Sequence, residues 1–464
     1  MVRSRVSRMA WCLTLSTVMV GSWAGSAWAD DDGNWWYGAL GVPQAQAEGI
    51  TGEGVPVAVI ESGIDPSLPL LDGAHLTVHE PSFCTDTQGY VDWAKKVAAP
   101  ITDIPAAYEG FTTLTWWGTN MVALIVGNGR GSGGQASVAG IAPGADVQFY
   151  AIDNAEGVLD GSSFEVCPGG AEAEARAIVK AVDNGARIIM ITETAMEPNQ
   201  MVSDAVAYAL HKEVIVVAAA QTWKNDTSKS RWFGGLNGVV AVEATKKDGK
   251  LLKVQDGPAP RSVTVTAPGE KILMQGDYRT EKWDAQYVYP TGSEFATAFV
   301  VGILADVAQR WPGATNDQLI QSLVRNTGPD EHGLVHDPTT GYGAANLPHM
   351  LKVDPTGYED VNPLIVPDDG QEHGLTAQDI QDARRPVWPE PSVTAATPAV
   401  SPSPLPVPEG SGGAPGWVWW GAAVLVLVAA AVVGIAGRAR ARPTAGFLDG
   451  QDGHRPTTTS TEEE

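Results

Sequence analysis

Three segments decide the fold of this chain: Val55-Pro-Val-Ala-Val-Ile-Glu61-Ser-Gly-Ile-Asp65, Trp117-Gly-Thr-Asn120-Met-Val-Ala-Leu-Ile-Val-Gly127 and Thr291-Gly-Ser-Glu294-Phe-Ala-Thr-Ala-Phe-Val-Val-Gly302. The first is an apolar, β-branched run followed by a glycine, a pattern typical of a buried strand that ends in a turn. The other two mix small and apolar residues, as buried helices do. We therefore expect one buried strand and two buried helices at these places.

Apolar strands and helices alternate along the rest of the large domain. Helices are predicted over 171–184 and 202–212, and strands over 187–191, 214–220, 239–244 and 263–267. Such an alternation is typical of a mostly parallel sheet that is covered by helices on both faces. The sequence therefore predicts an α/β fold.

The three segments resemble, in order and context, the aspartate, histidine and serine blocks of the subtilisin-like serine proteases (subtilases, peptidase family S8). Val138-Ala-Gly-Ile-Ala-Pro143 is similar to a further signature of that family. His336-Asp-Pro-Thr-Thr-Gly341-Tyr-Gly343 resembles the closing motif of the mycosins, the membrane-anchored subtilases of type VII secretion. The resemblance runs from about residue 40 to residue 351, and it implies a subtilisin-like three-layer fold.

The residues that carry the chemistry of that family are replaced in this chain. Glu61 stands at the aspartate position, Trp117 at the histidine position and Glu294 at the position of the nucleophilic serine. Thr222 stands where the family has the asparagine of the oxyanion hole. An indole has no basic nitrogen, and loss of the nucleophile or the base costs about 10⁶ in rate. No catalytic residue is expected to function, so the resemblance implies a pseudoprotease.

Two other interpretations stay open. Ser293 directly precedes the nucleophile position, so an active endopeptidase with an unconventional site is one alternative. A shift of one residue turns the side chain by about 100°, however, and no base is expected near it. The other alternative is a peptide-binding module in which Glu193 joins Glu61 and Glu294 in an acidic cleft.

Charge and composition exclude some partners. The chain has 30 basic and 54 acidic residues, for a net charge of -24, whereas nucleic-acid phosphates require clustered Lys and Arg. His75 and His79 lack metal-ligand spacing, and we expect neither a metal nor a cofactor. Cys84 and Cys167 are expected to form a disulfide in an oxidising compartment, with two free thiols as the alternative.

The beginning of the chain predicts a secretory signal peptide over residues 1–29. A basic start precedes a modest apolar stretch over residues 9–20, and Ser26-Ala-Trp-Ala29 has the A-x-A arrangement of a cleavage site. The rest divides into an N-terminal segment (30–54), the subtilase-like domain (55–352), a polar and proline-rich linker (353–415), a transmembrane helix (416–437) and a tail (438–464).

Residues 416–437 predict a single transmembrane helix. The stretch from Trp417 to Gly437 has no charged residue, and at 1.5 Å per residue it covers about 30 Å, the thickness of a hydrocarbon core. Arg438, Arg440 and Arg442 follow at once, so we expect a cytoplasmic tail and an extracytoplasmic domain. The resemblance implies that the expected partners, besides the bilayer, are components of a type VII secretion membrane complex.

Overall fold

The structure is a computed structural model, and it describes the greater part of the chain between Gly33 and Trp388. The described residues are 33–80, 83, 90–92, 97–99, 113–152, 170–192, 199–220, 233–252, 263–277, 282–367 and 374–388. All of them lie in the first of two compact units, Met1–Ala396. The predicted signal peptide and transmembrane helix fall outside the described residues. Within those residues, no helix has the length and apolarity to cross a bilayer.

The described chain alternates helices and strands. The strands are β1 (Pro56–Glu61), β2 (Leu76–His79), β3 (Tyr90–Asp92), β4 (Val97–Ala99), β5 (Asn128–Arg130), β6 (Ala136–Ala139), β7 (Asp146–Ala151), β8 (Ile188–Ile191), β9 (Ile215–Ala219), β10 (Val240–Thr245), β11 (Val265–Pro268), β12 (Met274–Asp277) and β13 (Lys282–Val288). The α-helices are α1 (Trp35–Ala39), α2 (Val42–Ala47), α3 (Thr113–Val126), α4 (Gly170–Asp183), α5 (Gln200–His211), α6 (Ser293–Arg310), α7 (Asn316–Arg325), α8 (Leu347–Met350) and α9 (Ala377–Asp382).

A seven-stranded parallel sheet forms the centre of the fold, in the order β11-β10-β9-β8-β1-β7-β2. Val57 and Val59 of β1 belong to one core cluster with α3 and α6, whereas Ala58 and Ile60 belong to another with α4 and α5. Neighbouring side chains of a strand point to opposite faces, so both faces are covered by helices. The predicted α/β fold with a mostly parallel sheet is confirmed.

The long helix α6 runs through the core. Most of its 18 residues are buried, and a Cβ at Gly302 would collide with Ile141, so glycine is required at this helix contact. Asp306 is fully buried as well, and neither of its carboxylate oxygens has a hydrogen-bond partner in the described part of the chain. Burial raises the pKa of Asp306 well above its usual value and thereby favours the protonated form.

The N-terminal segment packs on α6 through α1 and the loop after α2. Trp36 is fully buried, and its ring centroid lies 4.1 Å from that of Phe299. Further along α6, the Gln309 side-chain oxygen accepts hydrogen bonds from the backbone N–H groups of Thr51 and Gly52, at 2.7 and 2.8 Å. These contacts make the N-terminal segment part of the domain core.

The packed chain extends past residue 352, where the sequence places the start of a linker. The Asn237 side chain donates to the carbonyl of Val366 and accepts from its N–H, both at 2.9 Å. Helix α9 packs against α5 with Ile380 buried. The described residues after 352 therefore belong to the domain. They are mostly polar and are held largely by side chain–backbone hydrogen bonds, which leave no hydrophobic periodicity in the sequence.

Candidate functional site

The three segments that carry the predicted site meet at one end of the sheet. Glu61 is the last residue of β1, and the loop after it contacts the start of α3. A Cβ at Gly118 would collide with the carbonyl oxygen of Gly63, so this close approach requires glycine. The backbone N–H of Asp65 donates to the Thr119 hydroxyl at 2.9 Å. The first and second segments are therefore in direct contact.

Trp117 connects the second segment to the third. Its ring is partly buried and stacks on Phe295 of α6, with centroids 6.0 Å apart and planes 9° apart. The neighbouring Trp116 meets it edge-on at 5.0 Å and donates from its indole N–H to the carbonyl of Gln275 at 2.8 Å. The position expected to hold a general base is thus filled by an aromatic ring that packs across the site.

The Glu61 carboxylate is buried and hydrogen-bonded. Glu61 is only 4% exposed. Its Oε1 accepts a hydrogen bond from the backbone N–H of Ser62 at 2.8 Å, and its Oε2 accepts one from the hydroxyl of Thr192. Both oxygens already have partners within the fold. This arrangement makes Glu61 a structural group and leaves it little capacity to bind a peptide.

Glu294 lies in the first turn of α6, where the positive end of the helix dipole favours a carboxylate. The side chain is partly buried, and it accepts a hydrogen bond from its own backbone N–H. Burial raises the pKa of Glu294, and this hydrogen bond lowers it in part. The carboxylate thus folds back on the start of its own helix.

A carboxyl group that sequence reasoning did not connect with the site lies beneath Ser293. The Ser293 hydroxyl donates to Oε1 of Glu243 on β10 at 2.6 Å, and both residues are buried. Burial raises the pKa of Glu243 to about 7; hydrogen bonds from Ser293 and the Ala244 N–H lower it, and the charge of Glu294 raises it. The available signal was an acidic residue inside the apolar run 239–244.

The expectation that Ser293 has no base near it is therefore wrong, because the Glu243 carboxyl accepts its hydrogen bond. The contact points toward the sheet, however, and Ser293 is only 3% exposed. As arranged, the hydroxyl connects α6 to β10 and does not face a substrate.

The structure places the segments of Glu61, Trp117 and Glu294 next to one another. The other predicted site residues fall outside the described residues: Thr222, Glu193, Cys84 and Cys167. His75 lies 3.1 Å from Asp146 at the surface, and His79 stacks on Tyr150 at 4.4 Å. Among the described residues, no group of three or more His, Cys, Asp or Glu side chains is placed to hold a metal ion.

The chain belongs to the subtilase family, as predicted, because the sequence profile of that family matches residues 52–345. Fervidolysin from Fervidobacterium pennivorans is 28% identical over 334 residues, which cover 68% of this chain and 43% of fervidolysin. A thermostable alkaline protease from Halalkalibacterium halodurans is 26% identical over 293 residues, which cover 62% of this chain and 66% of the protease. The chain thus spans less than two thirds of the length of these relatives.

Several solved structures are similar to this chain. The crystal structure of fervidolysin matches with a TM-score of 0.49 and 25% identity, over 69% of this chain and 45% of that one. Two mycosins are also structural neighbours. MycP1 from Mycobacterium smegmatis matches with a TM-score of 0.49 and 22% identity, over 73% and 88% of the two chains. MycP3, a protease from the type VII (ESX-3) secretion system, matches with a TM-score of 0.47 and 21% identity, over 69% of this chain and 88% of MycP3.

Proposed function

We propose that this chain is a membrane-anchored pseudoprotease, a subtilase homologue that keeps the fold and has lost peptide hydrolysis. The observation that carries the proposal is Trp117, whose ring stacks on Phe295 at the position where the family places its histidine. An indole has one N–H donor and no basic nitrogen, so it cannot accept the proton of a nucleophile. Peptide hydrolysis by the serine mechanism requires that acceptor.

The remaining positions support the same conclusion. At the nucleophile position, Glu294 offers a carboxylate, a poor nucleophile for acyl transfer from an amide, and this group accepts a hydrogen bond from its own backbone. Glu61 has no imidazole to orient, and both of its oxygens accept hydrogen bonds within the fold. Loss of the nucleophile or base costs about 10⁶ in rate, which leaves no useful catalysis.

A domain that has lost catalysis can still act by docking to other proteins. We propose that it binds, on the extracytoplasmic face of a membrane, to components of a type VII secretion complex. The support is the mycosin-like closing motif over residues 336–343 and the predicted single span over residues 416–437. A net charge of -24 further favours a protein or cationic partner over nucleic acid.

One specific observation favours the alternative of an active enzyme. Ser293 donates to Glu243 at 2.6 Å, and a carboxyl with a pKa of about 7 has the basicity of a general base. The burial of Ser293 argues against this function. A reagent that requires both an activated hydroxyl and access to it separates the two functions.

A fluorophosphonate probe is expected to leave the purified chain unmodified, because its reaction requires a base-activated and accessible serine. An active subtilase serves as the positive control in the same buffer, and labelling is read by intact mass. The Ser293→Ala variant, like the natural chain, should show no increase in mass. Covalent labelling that maps to Ser293 and is lost in Ser293→Ala would overturn the proposal.

The anchoring part of the proposal predicts a topology. Protease added outside intact cells should digest the domain, whereas a tag placed after Glu464 should remain protected, because Arg438, Arg440 and Arg442 hold the tail in the cytoplasm. Detergent-permeabilised cells provide the control in which the tag is digested too. Loss of the tag in intact cells would contradict the predicted orientation.

A further inference from the structure

Two carboxyl groups converge on the first turn of α6. Glu294 reaches it from the helix itself and accepts a hydrogen bond from its own N–H. Glu243 reaches it from β10 and accepts the hydroxyl hydrogen bond of Ser293 at 2.6 Å. The helix has no side-chain cap at Gly292, and among the described residues these two carboxyls accept hydrogen bonds from its first turn.

The second oxygen of Glu243 distinguishes it from an ordinary hydrogen-bonded carboxylate. Oε1 accepts two hydrogen bonds, from Ser293 and from the N–H of Ala244 at 2.8 Å. Oε2 is buried and has no partner in the described part of the chain. An ionised carboxylate that leaves one oxygen unsatisfied in the core carries a large desolvation penalty, whereas a protonated carboxyl carries a much smaller one.

Among the described residues, none with a positive charge acts on Glu243. On β11 the register partner of Glu243 is Thr266, and on β9 the residues paired with the preceding Ala241 and Val242 are alanines. From α6 it meets the hydroxyl of Ser293 and the negative charge of Glu294. No described Lys, Arg or His acts on this carboxyl. Both burial and the facing charge therefore favour the protonated form of Glu243.

We propose that Glu243 is a proton-dependent clasp, a positioning residue that holds the first turn of α6 against β10 while protonated and releases it when ionised. This turn carries Phe295, on which the Trp117 ring stacks. Release of the turn therefore loosens the aromatic contact across the degenerate site, so the clasp sets how open the site is. The proposal does not depend on whether the site cleaves peptides.

The direction of the pH effect follows from proton linkage. In the closed form Glu243 has a pKa of about 7, whereas the ordinary pKa of a glutamate is 4.5. At a pH between these two pKa values, Glu243 is ionised in the open form and protonated in the closed form. The equilibrium therefore shifts toward the open form as the pH rises. Above about 7 both forms are ionised and the effect levels off. Proton linkage therefore predicts that the equilibrium constant for opening increases on the order of 10²-fold between pH 5 and pH 8.

Hydrogen–deuterium exchange of the full chain tests the clasp. The measured quantity is the protection of the amides in residues 291–300, corrected for the intrinsic pH dependence of exchange. In the natural chain, the corrected opening should rise by about 10² between pH 5 and pH 8. Glu243→Gln keeps the size of the side chain and an acceptor for Ser293, but it cannot ionise. Its opening should stay at the low-pH level across the whole range.

Two further variants make the result specific. Asp306→Asn removes another buried carboxyl from the same helix without touching Ser293, and it should keep the pH slope in residues 291–300. Ser293→Ala removes the hydroxyl that Glu243 holds, and it should open this turn already at pH 5. A flat profile in the natural chain, or an unchanged slope in Glu243→Gln, would overturn the proposal. If Glu243→Gln does not fold, the pH dependence of exchange in the natural chain and in Ser293→Ala still tests the proposal.

Discussion

The variant that combines Glu61→Asp, Trp117→His, Thr222→Asn and Glu294→Ser is expected to cleave peptides weakly, whereas each of the four single variants is expected to show no cleavage. Triad members act as a unit, and one missing member costs about as much as the loss of all, roughly 10⁶ in rate. Cleavage of a fluorogenic peptide, compared with an active subtilase, measures the gain. The combined variant should remain at least about 10²-fold slower, because a misplacement of ~1 Å costs that much.

The framework that this reversion needs is present. The close approach of Gly118 to the Gly63 carbonyl holds the first segment against the second, and the stacking of Trp117 on Phe295 brings the second against the third. Replacing Trp117 by a smaller imidazole leaves space beside Phe295, and filling of that space by water or by ring motion is the physical source of the expected misplacement.

The matched control replaces Glu294→Ser by Glu294→Ala in the combined variant, which keeps every other change and removes the nucleophile. It should abolish the gained activity. Peptide cleavage by the Glu294→Ser single variant would show that a base other than residue 117 serves the site. Glu243 is the described group with suitable basicity, since its pKa is about 7. Such a result would contradict the interpretation of Trp117 as the decisive loss.

The sheet was predictable from the sequence because its strands are buried on both faces. Runs such as Ile188–Ile191 and Ile215–Ala219 contain no polar residue, so the apolar pattern marks them directly. The contact between the three segments that carry Glu61, Trp117 and Glu294 was predictable from the order of these segments. Local composition and motif order therefore account for the core and for the place of the site.

The parts that escaped prediction depend on contacts between residues far apart in sequence. Glu243 and Ser293 are 50 residues apart and meet only because α6 packs on β10. The chain after residue 352 is held by polar contacts such as those of Asn237 with Val366, 129 residues away. Neither contact leaves a periodic signal, because each rests on isolated polar side chains.

Removal of the Trp36 ring is expected to destabilise the domain by about 3–5 kcal/mol, the range found when a buried aromatic residue is truncated to alanine. Trp36 is fully buried, its ring lies 4.1 Å from that of Phe299, and Tyr37 meets it edge-on at 5.5 Å. The variant Trp36→Ala leaves a cavity against α6 that the packed helix cannot close. Urea unfolding of the domain, followed by circular dichroism, measures the loss as a lower midpoint at an unchanged slope.

Two control variants separate the loss of packing from other effects. Trp36→Phe keeps an aromatic ring against Phe299 and removes an indole N–H that is buried without a partner in the described residues, so it should cost much less than Trp36→Ala. Glu48→Ala changes an exposed residue of the same segment and should stay within about 0.5 kcal/mol. A loss below about 1 kcal/mol for Trp36→Ala would mean that the N-terminal segment unfolds separately from α6. The domain core would then begin at β1, as the sequence pattern alone suggests.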